Sequence, residues 1–394
     1  MPQRVLIAGG GIGGLAVAIA LARRGIASNV LERSDFADET GAGIQLGPNA
    51  TRVLRELGAL DAVEQSAFRP EAIWIFDGLS GERLASVPLG GHAETRYGAP
   101  YLALHRADLH AALLAVAKEL GDLIALTPRF EVDSIAEERV GVTVQSADGN
   151  QASGSCLIGA DGLWSTVRKH AAPNATMRFA GATASRTLLP REDLPAPFDA
   201  PVVGLWLGPR AHLVHYPVRG GTDINLVAVT EGGRERQGWS EAADVGALRA
   251  SFTDWCDDSK SMLARADAWR SWSLYRLPPV TPWSTGRTVL LGDAAHPVLP
   301  FLAQGAGLAI EDAAALASSL KNAAHGPPQA FARYVAERQN RAWRVQREAR
   351  LLGMVYHLRG PAGRFRNRVL GWRSEAGLLA SFDWLYRERA KRGA

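Results

Sequence analysis

The sequence predicts an α/β protein in which a doubly wound, mainly parallel sheet is interleaved with a lobe of mainly antiparallel sheet and followed by C-terminal helices. Three observations predict this class. Strand, helix and strand patterns succeed one another over the first stretch of the chain, short alternating strands with Pro and Gly turns occupy the segment from Phe179 to Tyr275, and long helical patterns finish it.

The first elements form a βαβ unit. VLIAGG (5–10) is a short apolar strand that enters glycines, and LAVAIALARRG (15–25) is a helix rich in alanine and leucine with Gly25 as its expected C-terminal cap. SNVLERS (28–34) returns as a strand. A parallel pair joined by a helix is the opening of a doubly wound sheet.

Later segments extend both lobes. A helix over 106–121, a buried strand over 155–162 and a strand followed by a helix over 287–320 continue the first lobe, whereas 202–208, 212–218 and 224–229 are strands of the second. The predicted boundaries are 1–70, 102–178 and 276–330 for the first lobe, 71–101 and 179–275 for the second, and 331–394 for a C-terminal helical segment.

Composition indicates an ordinary globular chain. Its 394 residues, 47% hydrophobic and 21% charged, exceed one typical domain, which favours two lobes. Cys156 and Cys256 lack the spacing of a disulfide scaffold or a zinc site, so we predict a reducing compartment and no metal. A strand starts within a few residues of Met1 and no long apolar run follows, so a cytoplasmic protein is expected.

Positive charge is concentrated at the end of the chain. From Phe331 onward there are 15 Lys and Arg against 5 Asp and Glu, or +10, whereas residues 1–330 carry −6. RQNRAWRVQREAR (338–350) would suit an anionic partner, but glutamates and a helical apolar spacing favour a solvated helix face.

A glycine loop defines the predicted nucleotide site. Gly9, Gly11 and Gly14 match G-x-G-x-x-G between a strand and a helix, where glycines let the backbone approach a pyrophosphate at the helix N-terminus. Glu32 ends the next strand, where a carboxylate can accept hydrogen bonds from a ribose. The motif does not separate FAD from NAD.

Four further segments carry a family resemblance. GADGLWSTVR (159–168) and GDAAHP (292–297) each deliver an Asp at the carboxyl end of a strand, and GAGIQLGPN (41–49) and HRADL (105–109) precede them. Taken in order with GGGIGG, they resemble the class A flavoprotein aromatic hydroxylases, which include salicylate, 3-hydroxybenzoate and 6-hydroxynicotinate hydroxylases. The resemblance covers essentially the whole chain and implies a Rossmann-like FAD-binding lobe beside a substrate-binding β-sheet lobe.

The resemblance implies a set of cofactor residues. The glycine loop and Glu32 would hold the ADP half of FAD, Arg33 and Arg106 would lie near its phosphates or ribityl chain, and Asp293 would bind the ribityl chain. Asp161 and its following glycine would contact the pyrophosphate and the nicotinamide cofactor. The alternatives are that Arg33 is a surface residue, Arg106 begins the following helix and Asp161 forms a plain turn.

The segment AQGAGLAIED (303–312) predicts an anion-stabilising helix start. Small residues expose backbone N–H groups, and the helix dipole would stabilise a reduced flavin, so Gly305 and Gly307 are inferred flavin contacts, with close helix packing as the alternative. In the family a proline-containing loop passes near the flavin. The resemblance therefore implies that Pro297 lies beside the flavin and forms part of the substrate pocket. His296 is as well explained by a structural hydrogen bond.

The stretch HLVHYPV (212–218) supplies the candidate catalytic pair. In a strand, His212 and Tyr216 share one face and His215 the other. Related hydroxylases carry His and Tyr at this spacing, which implies that His212 and Tyr216 bind the substrate hydroxyl and that His212 takes its proton. Gln45 would orient a ring substituent without titrating. The alternatives are that His212 is a hydrogen-bonded structural histidine of the sheet, that Tyr216 is a core aromatic residue and that Gln45 braces the backbone.

The resemblance also implies the reaction. NADH or NADPH would reduce FAD, dioxygen would give a flavin C4a-hydroperoxide, and a small hydroxylated aromatic would be hydroxylated, with decarboxylation where a carboxylate occupies the attacked carbon. No nucleic-acid or membrane partner is predicted, and a monomer or homodimer is expected. The alternatives are an NAD-dependent dehydrogenase, a flavin-containing regulatory protein and other flavin chemistry.

Overall fold

The computed structural model describes residues 4–36, 42–233, 235, 241–279 and 282–387. Gly41, the first residue of one segment that carries the resemblance, lies outside these residues. Within them, no helix is both long and apolar enough to cross a bilayer.

The strands of the described residues are, in chain order, β1 Val5–Ala8, β2 Ser28–Leu31, β3 Gly43–Leu46, β4 Ala72–Asp77, β5 Arg83–Pro88, β6 Leu102–His105, β7 Ile124–Thr127, β8 Val132–Glu137, β9 Val142–Ser146, β10 Gln151–Gly154, β11 Leu157–Gly159, β12 Arg178–Pro190, β13 Val203–Gly208, β14 Ala211–Val218, β15 Asp223–Glu231, β16 Glu241–Ala242, β17 Arg270–Arg276, β18 Ser284–Thr285 and β19 Thr288–Leu290.

The α-helices of the same residues are α1 Ile12–Ala22, α2 Pro48–Leu57, α3 Leu60–Glu64, α4 Gly90–Tyr97, α5 Arg106–Glu119, α6 Thr166–Ala171, α7 Val245–Ala250, α8 Asp257–Ala264, α9 Gly305–Lys321, α10 Pro327–Tyr356, α11 Gly360–Trp372, α12 Glu375–Ala380 and α13 Asp383–Tyr386.

A mainly parallel sheet carries the first lobe. Its order is β18-β19-β11-β1-β2-β7, with only the β18–β19 pair antiparallel. Its inner strands β1 and β19 are apolar and buried, as expected for a sheet covered on both faces. Helices α1 and α9 pack against each other on one face of this sheet. The carboxyl ends of β1, β2, β11 and β19 therefore meet along one edge.

The βαβ unit forms as predicted, with one shift at its helix. α1 begins at Ile12, earlier than Leu15, because the glycine loop itself turns into the helix. The helix ends at Ala22, and Gly25 adopts φ +76° in the turn that follows. A left-handed turn of this kind suits glycine, which has no Cβ to clash.

A larger, mainly antiparallel sheet carries the second lobe, in the order β16-β17-β12-β15-β14-β13-β4-β5. Strands from two distant parts of the chain meet there, because β4 pairs parallel with β13. One face of β14 packs against Trp206 and Phe198, and the other faces the aromatic residues of the C-terminal helices. The second face is the one that borders a cavity.

The C-terminal helices are fastened to α9 by buried ion pairs. Arg338 contacts Asp312 and Glu311, each at 2.7 Å, and Arg341 donates to Glu311 at 2.6 Å. Burial alone would raise the pKa of Asp312, but the charges of His296 and Arg338 outweigh it and hold that pKa below its usual value. Two of the six arginines of α10 therefore neutralise buried carboxylates.

Candidate active site

A large cleft lies where the strands of the parallel sheet end. It has a volume of about 460 Å³ and is bordered by the glycine loop, the end of β2, the turn after β11 and the turn after β19. Seven residues predicted to bind the cofactor line it: Gly9, Gly11, Glu32, Arg33, Arg106, Asp161 and Asp293. Four segments far apart in sequence thus converge on one cavity.

The three loop positions hold glycine for different structural reasons. Gly9 has φ +100°, and a Cβ there would come within 2.5 Å of the Ala160 carbonyl oxygen. A Cβ on Gly14 would overlap the carbonyl oxygen of Gly9, so this glycine permits close packing of helix and strand and lies outside the cavity lining. A Cβ on Gly11 would have no neighbour nearer than 3.9 Å and would occupy space that the cavity offers a ligand.

Glu32 joins the glycine loop to the end of β2. Its carboxylate accepts hydrogen bonds from the backbone N–H of Gly10 at 2.6 Å and of Ser34 at 3.0 Å. These bonds hold the carboxylate at the cavity wall, where the remaining lone pairs can accept from a ribose. The neighbouring Arg33 is exposed and forms the rim.

Asp161 belongs to the cavity and to the start of α6 at once. Its carboxylate accepts from the Ser165 hydroxyl at 2.5 Å and from the Val167 N–H at 3.0 Å. Burial raises the pKa of Asp161, and these donors oppose that effect. Asp161 therefore forms the turn before α6, as the alternative predicted, and also lies in the cavity wall.

Asp293 lies among cations at the end of β19. Burial raises the pKa of Asp293, while the charges of His296, Arg106 and Arg168 lower it. Arg168 donates to the backbone carbonyl of Ala294 at 3.0 Å and so fastens this turn to α6. Asp293 is thereby a fixed acceptor in the cavity wall.

A second, smaller cavity of about 90 Å³ lies against β14. Gln45, Tyr101, Val214 and His212 line one part, and residues 300–303 with aromatic side chains of the C-terminal helices line the rest. His212 is only 3% exposed. This cavity combines apolar walls with a few polar groups, as small-molecule pockets usually do.

His212 is held by a second histidine from the end of the chain. Its Nδ1 lies 2.8 Å from Nε2 of His357, and the rings of Phe301 and Tyr356 pack beside it. Burial, with a smaller contribution from His357, holds the pKa of His212 well below its ordinary value. The imidazole is therefore neutral at neutral pH and can accept a proton.

Tyr216 and Gln45 meet beside this cavity. The Tyr216 phenol lies close to the Gln45 and Asn225 side chains, and the Tyr101 hydroxyl donates to Oε1 of Gln45 at 2.6 Å. Tyr216 is buried behind Gln45 and does not itself line the small cavity. Burial raises the pKa of Tyr216, so its phenol stays protonated.

His215 occupies the opposite face of β14. Nε1 of Trp206 donates to its Nδ1 at 3.1 Å, and Phe198 packs on its ring. Burial lowers the pKa of His215 to about 3. The side chain is a neutral part of the core.

Other predicted residues lie around the start of α9 and line neither cavity. Pro297 is buried, and its carbonyl accepts from Gln346 at 3.0 Å. Gly305 is the first residue of α9, and a Cβ there would be 4.0 Å from an Asp293 oxygen. Gly307 packs against Ala50 and Asn49 of α2, and this contact agrees with the alternative that Gly307 permits close helix packing. Their flavin contacts stay a prediction.

Sequence reasoning missed His357, Tyr356 and Arg186. His357 and Tyr356 end α10 in a segment with no local motif, and only the return of that helix across the second sheet brings them to His212. Arg186 lies within β12 and lines the larger cavity. An arginine inside a strand of otherwise small and apolar residues was the available signal.

These cavities and their scaffold define a flavoprotein, and the comparisons agree. The chain matches the family model described as FAD binding domain over residues 3–349 and belongs to that family. It is an FAD-dependent, single-component aromatic monooxygenase of the class A flavin monooxygenases, and both the predicted fold class and the predicted enzyme class are confirmed. The dehydrogenase and regulatory-protein alternatives were wrong.

Named relatives narrow the chemistry further. The chain is 36% identical over 383 residues to 3-hydroxybenzoate 6-hydroxylase of Polaromonas naphthalenivorans, covering 97% of this chain and 95% of that one. It is 36% identical over 353 residues to 6-hydroxynicotinate 3-monooxygenase of Pseudomonas fluorescens, covering 87% and 89%. A salicylate hydroxylase substrate complex has a TM-score of 0.83 at 25% identity, covering 99% and 96%.

A structure with bound cofactor is equally similar. HpxO of Klebsiella pneumoniae in complex with FAD and uric acid has a TM-score of 0.84 at 25% identity and covers 96% of this chain and 95% of its own. FAD is therefore the cofactor of this chain.

Proposed function

We propose that this enzyme hydroxylates a small phenolic ring, of the hydroxybenzoate or hydroxypyridine class, at a carbon ortho or para to a ring hydroxyl. NADH or NADPH is the reductant and dioxygen the oxygen donor, with decarboxylation where a carboxylate occupies the attacked carbon. The observation that carries the proposal is a buried, neutral His212 in the wall of a small aromatic cavity. The named hydroxylases of 3-hydroxybenzoate and 6-hydroxynicotinate act on rings that have a hydroxyl.

The larger cavity fits FAD by its donor set. Glycines leave room for a pyrophosphate at the α1 N-terminus, Glu32 suits a ribose, and Asp161 and Asp293 offer acceptors for hydroxyl groups. Arg33 and Arg106 supply positive charge for phosphates. When bound, FAD supplies the redox chemistry, accepting a hydride equivalent from the nicotinamide and delivering one oxygen atom of dioxygen to the ring.

The residues of the smaller cavity prepare the ring. Removing the proton of a ring hydroxyl raises electron density at its ortho and para carbons, and the neutral imidazole of His212 accepts that proton. Gln45, held by the hydrogen bond from Tyr101, orients a substituent. The aromatic walls limit the access of water to the ring.

The function is tested with a panel of hydroxybenzoates, hydroxypyridines and simple phenols. We expect at least one phenol to stimulate NADH or NADPH oxidation and to give a product that carries one ¹⁸O atom from ¹⁸O₂. Its methyl ether is the control, because it lacks the proton that His212 accepts and should not be hydroxylated. If every compound gave only hydrogen peroxide, or none stimulated reductant oxidation, the proposal would be wrong.

Replacing Asp293 with alanine is expected to weaken FAD retention. The change removes one or two hydrogen bonds from a charged acceptor, each contributing about 1.5–3 kcal/mol, so the dissociation constant should rise by at least about 10-fold. Flavin fluorescence during dialysis measures it. Asp133→Ala, on the exposed side of β8, is the matched control and should retain FAD like the wild type. Equal FAD retention by both variants would contradict the role of Asp293.

A further inference from the structure

A line of hydrogen-bonding groups leads from the small cavity to the protein surface. Nδ1 of His212 lies 2.8 Å from Nε2 of His357, and Nδ1 of His357 lies 3.1 Å from Oε1 of Glu231. His357 is buried, with 5% of its side chain exposed, whereas 41% of the Glu231 side chain is exposed. The first member borders the cavity and the last one borders solvent.

The carboxylate at the surface decides the tautomer of both rings. An ionised Glu231 only accepts hydrogen bonds, so Nδ1 of His357 must carry its proton and Nε2 must be an acceptor. Nδ1 of His212 therefore carries the proton that it donates to His357. This leaves a lone pair on Nε2 of His212, which bonds no described residue. That nitrogen is the one available to a ring hydroxyl.

The charges around His357 come from three elements. Glu231, at the end of β15, favours its protonated form, whereas Arg366 of α11 opposes it. Burial exceeds both effects and lowers the pKa of His357. Arg210, after β13, lies 3.7 Å from Glu231 and holds the carboxylate in place. His357 is thus neutral at rest, and a proton that reaches it has an acceptor on its outer side.

We propose that His357 and Glu231 form a proton relay that carries the substrate's hydroxyl proton from His212 to solvent. The proposal rests on the proposed role of His212. As Nε2 of His212 takes the proton from the hydroxyl oxygen, the Nδ1 proton of His212 passes to Nε2 of His357. The Nδ1 proton of His357 then passes to Glu231, which releases it to water. One proton enters and one leaves, and each ring returns to neutrality in its other tautomer.

The relay solves an electrostatic problem of the buried site. A proton that stayed on His212 would leave an imidazolium in an apolar cavity, and burial strongly disfavours that charged form. Transfer to an exposed carboxylate removes the charge from the cavity. His357 and Glu231 are positioning residues in this scheme, since neither lines the cavity.

The test compares Glu231→Gln and His357→Gln with the wild type. Glutamine at 231 can still accept from Nδ1 of His357 but cannot take up a proton, and Glu231→Asp is the conservative rescue. The probe is 3-hydroxybenzoate, whose rate of ionisation on binding is followed by stopped-flow ultraviolet absorbance across pH. The second readout is the pH profile of kcat. His170→Gln is the matched control, because His170 also pairs with a carboxylate, Glu137, but on the surface.

We expect both glutamine variants to slow the ionisation of the bound phenol by about 10-fold or more at a given pH, because the relay sets the rate at which the proton leaves the cavity. kcat should fall about 10-fold near neutral pH and recover at higher pH, with KM and FAD content unchanged. Glu231→Asp should restore most of the loss, and His170→Gln should match the wild type. Because Glu231 is partly exposed, Glu231→Gln should fold normally, which its Tm checks.

Other outcomes separate the relay from the function on which it rests. If His212→Ala abolished phenolate formation while both relay variants ionised the phenol at the wild-type rate, the relay would be wrong and the role of His212 would stand. If His212→Ala also ionised the phenol at the wild-type rate, or if the wild type neither bound nor ionised 3-hydroxybenzoate or any phenol of the panel, the proposed function and the relay would both be wrong.

Discussion

His212→Ala is expected to lower kcat for coupled hydroxylation by about 10²–10⁴-fold, the usual contribution of general acid–base catalysis, while FAD stays bound. The imidazole is buried, neutral and part of the small cavity wall, and no other described residue of that wall is a neutral base. Without proton removal the ring is less electron-rich than the phenolate, so more of the reductant should be consumed in forming hydrogen peroxide. Product formation and peroxide are measured together with FAD content.

His215→Phe is the matched control for this prediction. His215 lies on the same strand but faces the core, where it accepts from Trp206. Its loss should lower Tm, because a buried indole N–H loses its acceptor at a cost of about 1–3 kcal/mol, and should leave kcat near that of the wild type. Coupled turnover by His212→Ala at the wild-type rate would refute the assignment of the base.

Arg338→Met should destabilise the folded protein by about 3–5 kcal/mol, the usual cost of removing one partner from a buried ion pair. Arg338 is buried and contacts both Glu311 and Asp312 at 2.7 Å. Its loss leaves Arg341 beside Glu311, and leaves His296 and the Gly292 N–H beside Asp312. Asp312 then loses one of the charges that lower its pKa, and that pKa should rise. Urea unfolding with excess FAD measures the change in the free energy of unfolding.

Arg347→Met, on the same helix, is the control for this second prediction. Its side chain is 68% exposed and pairs with Glu348 on the surface, so the free energy of unfolding should change by less than about 1 kcal/mol. A similar small effect for Arg338→Met would show that the buried pairs do not fasten α10 to α9.

The local part of the larger site could be read from the chain because its chemistry is backbone chemistry. Gly9 needs a positive φ and Gly14 needs the absence of a Cβ, and both requirements appear as glycines at fixed spacing between a strand and a helix. Glu32 and Asp293 follow apolar strands, and the carboxyl ends of neighbouring parallel strands meet. The doubly wound sheet and a dinucleotide site follow from these short-range patterns, whereas FAD rather than NAD was implied by the family resemblance.

Alternation along β14 likewise separates His212 from His215 before any coordinates are known, because the side-chain period of a strand is two residues. Alternation cannot predict which distant residues pack against each face. His357 is far along the chain from His212, at the end of a long helix with no motif. The sequence around Gly307 is likewise compatible with a flavin loop and with a helix contact.

Short-range patterns thus specify the sheet, the glycine turn and the acids at strand ends, since each depends on the conformation of a few consecutive residues. The neutral state of His212, its pairing with His357 and the buried carboxylates of α9 arise only when distant segments pack together. Burial and mutual distance set these charge states, and neither quantity exists until the chain has folded.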